Sequence, residues 1–429
     1  MFSWYFKSNL LVRIIIGLVL GAIAGLFLGP DAKMLSPLGD ILVRSLKMIV
    51  MPVIVSTIIV GAGSVKPSQL GKVGAKCMSF YMLTTGFAVA IGLFFGNILQ
   101  PGNGLELASE GATFKPAAAA KATSFLDILI NIIPKNPFAA ITTGDVLSTI
   151  FFCIITGIAI SVLRHSEDAR IKNAGDSLFY LFEGLAEVMY LIINWVLQYV
   201  PIGVFALIAV VFGAQGSKAF GPLGVVVIAT YLAFACHILI VYGGGLMLFG
   251  VNPIAFFKKV KTASIAAFVT RTSSGVLPIS MEVADKELGV DKSIYSFSLP
   301  LGATVNMDGT AIYQGVCALF IGYAIGEPLT FSQQITVIGT TILASLGTAG
   351  IPGAGAIMLM IVLNSVGLEI TAGSPTALAY AMIFGIDALL DMGRTCTNVT
   401  GDLAVTCAVA NSENELNKEC WEPAEATQR

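Results

Sequence analysis

Apolar runs alternate with short polar or glycine-proline breaks along the first 250 residues of the chain. A bilayer span needs about 20 apolar residues, and the runs near 10–29, 38–63 and 77–99 meet that length, each bounded by Pro, Gly or Lys. A polar, Ala/Gly-rich stretch from Pro101 to Thr123 reads as a long exposed loop. Three further runs lie near 139–163, 177–213 and 222–250. The middle one outlasts a simple span and contains Pro201-Ile202-Gly203, so it is expected to tilt or kink. Beyond residue 250 the apolar segments are interrupted by Ser, Thr, Gly, Pro, Asn, Asp and Arg, and the chemistry is expected there.

Composition turns this pattern into a membrane protein. With 56% hydrophobic and 12% charged residues, a chain of 429 residues lacks the polar surface to clothe a soluble globule. A net charge of -2 without a long basic run argues against nucleic acid as a partner. The seven cysteines are scattered without a CxxC and read as small reduced hydrophobes. Lys7 and Arg13 at the first run imitate a signal peptide, yet no small-residue cleavage site precedes Gly29-Pro30, which predicts a retained first helix. Lys66, Lys72 and Lys76, then Arg164, Arg170 and Lys172, then Lys258, Lys259 and Lys261 mark alternate loops as cytoplasmic, with both termini on that side. The polar tail from Asn411 to Arg429 has no apolar periodicity and is expected to be mobile.

Two segments interrupt apolar sequence with small polar tips. Thr270-Arg271-Thr272-Ser273-Ser274-Gly275 separates flanks too short to span alone. It reads as a re-entrant hairpin whose unpaired backbone faces a cavity, the alternative being an ordinary cytoplasmic loop. Ser345 to Gly355 is a similar tip approached from the other side, where Pro352 opposes the alternative of a continuous glycine packing seam. Each tip precedes a long segment with polar residues in mid-membrane, a unit repeated with inverted topology. In the first of these, Asn306 and Asp308 would lie about 200° apart on a continuous helix. An unwound turn at Gly309 would let both, with backbone carbonyls, meet a hard cation; a helix–helix hydrogen-bond pair is the competing explanation.

In the last span Asp387, Asp391, Arg394, Asn398 and Asp402 fall within a stripe about 80° wide on one helical face. Ionisable groups inside a membrane are functional by default. An ion-pair ladder accounts for Asp391 with Arg394 but leaves further carboxylates unmatched, and Arg271 supplies only part of the balance. Bound cations supply the rest. The guanidinium of Arg394 offers a planar fork for a substrate carboxylate, Asp391 attracts an ammonium, and Asn398 with the tips can take an α-carboxylate. Together these groups describe an acidic amino acid.

The strings TRTSSGVLP, NMDGT, GTAGIPGAG and DALLDMGRTCTNVTGD, in this order, resemble the dicarboxylate/amino acid:cation symporter family, which includes sodium-coupled aspartate transporters and the animal excitatory amino acid transporters. The resemblance implies an all-α integral membrane protein of the cell membrane, with eight transmembrane helices and two re-entrant hairpins, assembled as a homotrimer. It implies scaffold helices 1–2 within residues 1–70, helix 3 of a moving transport domain within 71–100, a loop and scaffold helices 4–5 within 101–215, the rest of the transport domain within 216–412 and a cytoplasmic tail at 413–429. The transport domain would move as a body, an elevator-type alternating access, with the second hairpin as gate.

By the same resemblance Arg394, Asp391, Thr395, Asn398, Thr310, Ser273 and Gly350 look like substrate ligands. Asn306 and Asp402 would line one sodium site, with Asn398 beside it. Asn306 and Asp308 with Tyr81, Thr84 and Thr85 would line a second, and backbone from Thr304, Ser345 and Thr348, with Met307 nearby, would hold a third. Arg271 and Asp387 are the charge partners. Arg271 beside the serine-rich tip resembles the prokaryotic arrangement, whereas the animal carriers place that arginine where this chain has Met392, which implies sodium-driven uptake without potassium countertransport. Family members for neutral amino acids have a smaller residue at the position of Arg394.

Sodium is the expected coupling ion and no organic cofactor is expected. Sodium- or proton-coupled symport of a C4-dicarboxylate, or of a neutral amino acid, is the alternative; Asp391 opposes the former by repelling a second carboxylate where it would welcome an ammonium. A channel would need rings of like charge or carbonyls along an open pore. An intramembrane enzyme is disfavoured because neither histidine, His165 or His237, neighbours a nucleophile or metal set in the sequence.

Overall fold

The computed structural model describes residues 10–64, 72–105, 107, 133–143, 145–216, 220–345, 348, 350 and 353–421. Helices dominate, and among the described residues five are long and apolar enough to cross a bilayer. The chain opens with α1 (Leu10–Leu28), a 3₁₀ turn, α2 (Ser36–Ser64) and α3 (Lys72–Leu99). The run expected at 139–163 divides into α4 (Pro137–Thr143) and α5 (Val146–Arg164), because Asp145 caps the second piece by accepting from the Ser148 amide. The overlong run becomes α6 (Ala169–Gln215), about 70 Å of helix if straight, with Pro201 inside it.

Two groups of helices pack separately and then meet. In the first, α1, α2 and α5 lie on α6. Gly17, Gly21 and Gly25 of α1 face the α6 backbone at Pro201, Phe205 and Ala209 so closely that a Cβ on any of them would collide with main chain. Small residues at this spacing let membrane helices approach without a hydrophobic driving force.

The second group begins with α3 and continues through α7 (Phe220–Cys236), a π-helical segment (His237–Tyr242) and α8 (Gly243–Leu248). Next come α9 (Pro253–Thr270) and α10 (Ser273–Glu282), then α11 (Lys292–Val305) and α12 (Asp308–Ala324). The group closes with α13 (Phe331–Ser345), α14 (Ala354–Ser365) and α15 (Pro375–Glu413). Asp291 starts α11, where hydrogen bonds from the Ser293 hydroxyl and amide hold its carboxyl below the ordinary range. Helix α15 runs through the middle of this group against α9, α11 and α12, and reaches α1 and α6 across the seam.

Two expectations need correction. The polar tail is not free over its first part: α15 continues to Glu413, Lys76 of α3 pairs with Glu413, Val290 bridges Leu416, and the Trp421 indole donates to the Leu288 carbonyl at 2.9 Å. Residues 422–429 lie outside the described residues. The loop expected from Pro101 is packed where it starts, since Leu105 and Leu107 are buried and the Leu107 amide donates to the Ala324 carbonyl at 3.4 Å. Residues 106 and 108–132 lie outside the described residues, as do Lys66 and Pro352.

Candidate functional site

Each interruption foreseen in the sequence is a helix break, and the breaks meet. Between α9 and α10, Arg271 takes the left-handed conformation (φ 57°) and Thr272 the extended one, capping α10 by accepting from the Gly275 amide. Between α11 and α12, Asn306 and Met307 leave helical geometry, so the last carbonyls of α11 and the first amides of α12 lack partners within their own helices. Between α13 and α14 the described residues are Thr348, Gly350 and Gly353. Thr272 Oγ1 donates to the Gly350 carbonyl at 2.7 Å, and the Ser274 amide points at the same oxygen at 3.4 Å. A Cβ on Gly350 would stand 3.0 Å from the Ala303 carbonyl, so all three breaks share one small volume.

The middle of α15 closes that volume. All five polar residues of its stripe are buried, and a small cavity is lined by Arg271, Ser273, Met307, Thr310, Thr348, Gly350, Gly355, Asp391, Arg394, Thr395 and Asn398. The seven expected substrate ligands are all among them. Gly355 is an addition; it sat inside the quoted GTAGIPGAG string without a role. A Cβ there would lie 2.7 Å from Arg394 Cζ, so its absence makes room for the guanidinium.

Arg394 is fully engaged. Its Nη2 and Nε donate to Asp391 Oδ1 at 2.7 and 3.1 Å, its Nη1 to Asp387 Oδ1 at 3.2 Å, and its face lies 4.6 Å from the centre of the Tyr313 ring. Two carboxylates on one guanidinium leave one negative charge in excess. Arg271 opens onto a neighbouring cavity beside Asp387 and Asp391 and makes no ion pair among the described residues. Asn398 accepts from the Gly309 amide at 2.7 Å, capping the first turn of α12 from outside, and directs its Nδ2 to the Met307 sulfur at 3.2 Å. Gly309 lies so close to the Arg394 main chain that α12 and α15 could not approach with any larger residue there.

The stripe serves two levels. Asp391, Arg394 and Asn398 address the cavity and Asp387 the neighbouring one, whereas Asp402 accepts from Asn306 Nδ2 at 2.9 Å. The remaining oxygen of Asn306 is buried with no hydrogen-bond partner among the described residues, an acceptor placed as a cation ligand would be. Asp308 is fully buried and receives Thr85 Oγ1 on Oδ1 at 2.7 Å.

The other expected ion ligands turn their hydroxyls to main chain. Tyr81 donates to the Ser298 carbonyl, Thr84 to Tyr81, Thr304 to Leu301, Ser345 to Ile342 and Thr348 to Ala344. Sequence reasoning missed two further neighbours of Asp308, His237 and Tyr242, which reach its Oδ2 at 3.1 and 2.7 Å. A buried histidine in a run otherwise built of aliphatics was the available signal.

Comparison with known proteins matches residues 10–412 to the Sodium:dicarboxylate symporter family. The chain is 36% identical over 422 residues to the proton/sodium-glutamate symport protein of Geobacillus stearothermophilus, covering 96% of each. It is 31% identical over 428 residues to the proton/glutamate-aspartate symporter of Escherichia coli (strain K12), covering 96% of this chain and 94% of that protein. A C4-dicarboxylate transport protein of Citrifermentans bemidjiense is 30% identical over 418 residues, covering 96% of this chain and 92% of that one.

Proposed function

The chain belongs to the sodium:dicarboxylate symporter family, a family of membrane transporters rather than enzymes, and on that premise we propose that it carries an acidic amino acid, aspartate or glutamate, in symport with sodium. The observation that carries this reading is the Asp387–Arg394–Asp391 triad at the edge of a polar cavity. Buried charges are tolerated only when paired. A substrate side-chain carboxylate displaces Asp391 from the Arg394 fork, and the freed Asp391 takes the substrate ammonium, so Arg394 and Asp391 each keep an opposite charge. A neutral amino acid cannot open the pair, and a dicarboxylate without an amine leaves Asp391 unmatched.

The coupling ions occupy the level beneath. The orphaned oxygen of Asn306, with Asp402 and Asn398, forms one candidate position, and Asp308 with Thr85 another. Tyr81 and Thr84 flank these levels, and their hydroxyls must turn toward an ion to ligate it, whereas Thr304, Ser345 and Thr348 would offer backbone to a third ion, with Met307 nearby. Each ion offsets the excess carboxylate charge, which ties substrate binding to ion binding.

We also propose an elevator-type movement of the second helix group, carrying the cavity, against the first group, in a homotrimer with both termini cytoplasmic. The separate packing of the two groups supports the movement, and the alternate-loop lysines and arginines support the orientation.

Protein reconstituted into liposomes tests the reading. Labelled aspartate should accumulate against its gradient when sodium is high outside, and glutamate should compete better than alanine or succinate. A pH gradient that drives accumulation without sodium would replace sodium by protons, as the name of the Escherichia coli relative suggests. Better competition by succinate would favour a C4-dicarboxylate, the cargo named for the Citrifermentans relative. Asp391→Asn should cut aspartate affinity at least about tenfold, the value of a hydrogen bond to a charged group, while leaving succinate inhibition no weaker.

A further inference from the structure

Asp308 is held by three side chains from two elements at once. Thr85 of α3 donates to one oxygen, while His237 and Tyr242 converge on the other at 3.1 and 2.7 Å. All these side chains are buried. His237 and Tyr242 are the first and last residues of the π-helical segment, five positions apart. On an α-helix they would point about 140° away from each other. The π segment, whose hydrogen bonds run from i to i+5, brings Tyr242 back over His237, and the two rings meet edge to face at 4.6 Å. The irregular turn therefore has a local product: two donors on one carboxylate oxygen.

The tautomer of His237 follows from the same contacts. Its Nδ1 is buried without a partner among the described residues, and a bare lone pair is tolerated there more readily than an orphaned N–H. The proton sits on Nε2, which donates to Asp308.

We infer that His237 and Tyr242 form a positioning clamp for the cation site, saturating Asp308 Oδ2 and fixing the carboxylate rotation so that Oδ1 is the oxygen offered to the ion. Thr85 hydrogen-bonds Oδ1, and its hydroxyl can turn to offer a lone pair to the same ion. Neither clamp residue touches the substrate cavity. The inference rests on the proposed role of Asp308 as an ion ligand.

The test is sodium titration of aspartate uptake by the full-length protein in liposomes. In His237→Leu the sodium concentration for half-maximal uptake should rise at least about tenfold, as expected when a hydrogen bond to a charged group is lost, while the aspartate KM at saturating sodium stays within about twofold of its original value. His237→Gln, whose amide N–H reaches the same oxygen, should recover most of the shift. If His237→Leu does not fold, Tyr242→Phe deletes only a hydroxyl and should raise the sodium requirement severalfold. Equal behaviour of the Leu and Gln variants, or an unchanged sodium requirement in both His237→Leu and Tyr242→Phe, overturns the clamp alone. Sodium-independent uptake by the unaltered protein overturns the clamp together with the functional reading.

Discussion

Arg394 concentrates the electrostatics of the site in one side chain. It pairs with two buried carboxylates, stacks on Tyr313 and brings a planar fork to the cavity lining. Arg394→Ala would strand Asp387 and Asp391, and breaking a buried pair costs about 3–5 kcal/mol. Aspartate binding in sodium should then fall at least about 100-fold, measured by calorimetry on purified protein. Arg394→Lys keeps the charge without the fork, so the protein should remain folded with affinity still depressed. A lysine variant with undiminished affinity would rule out bidentate recognition. Gly355→Ala probes the same group from outside: the added methyl meets the movable guanidinium at 2.7 Å rather than main chain. Affinity should drop several-fold with thermal stability nearly unchanged, within about 1 kcal/mol.

At the scale of elements, the breaks between helices are the functional units, and polar residues inside apolar runs made them legible. Asn306 and Asp308 cannot share a site on a regular helix, and the chain does leave helical geometry there, at Asn306 and Met307. The period of the last span likewise gave a continuous α15 with its stripe buried. What stayed illegible depends on partners distant in sequence. No local pattern says that His237 meets Asp308, that the polar tail docks beside Leu288, or that Asp402 of the stripe pairs with Asn306 away from the cavity. The π segment was hidden for a related reason, since its residues are ordinary helix formers and only the shared carboxylate explains the wider turn. Arg271 shows strain kept at such a break: a non-glycine residue in the left-handed region costs of order 1 kcal/mol. Arg271→Gly should leave stability within about 1 kcal/mol of the original, since relieved strain offsets added chain entropy. Substrate affinity should nonetheless fall, because the cation beside Asp387 and Asp391 is gone. A thermal-shift assay run with the binding titration separates the two effects.

The whole molecule distinguishes contacts that must stay from contacts that can slide. Inside each helix group, some glycines abut main chain: Gly21 meets Phe205 of α6, Gly157 of α5 meets Ile59 and Gly63 of α2, Gly92 of α3 meets Ile312 of α12, and Gly309 meets Arg394. Backbone against backbone allows no rearrangement short of separating the helices. Across the seam between groups the character differs. Among the described residues, the nearest neighbours of Gly385 of α15 are the tips of Leu18, Val204 and Ile208, and that of Gly353 is the tip of Leu197. Aliphatic tips over glycine make a smooth contact in which side chains change rotamer without moving main chain, the property that a sliding interface requires. Gly385→Leu would therefore set a knob against Leu18, whose Cδ1 already lies 2.9 Å from the position of an added Cβ. Aspartate binding in sodium should persist within about threefold, because Gly385 is absent from the cavity lining. Uptake should slow at least about tenfold, since overpacking costs about 1–3 kcal/mol and would fall most heavily on the passage between arrangements. Gly92→Leu, placed inside a group, should instead reduce folding yield and binding together. If Gly385→Leu lost binding and rate in equal measure, or kept both, the seam between the two groups would not be the surface that moves.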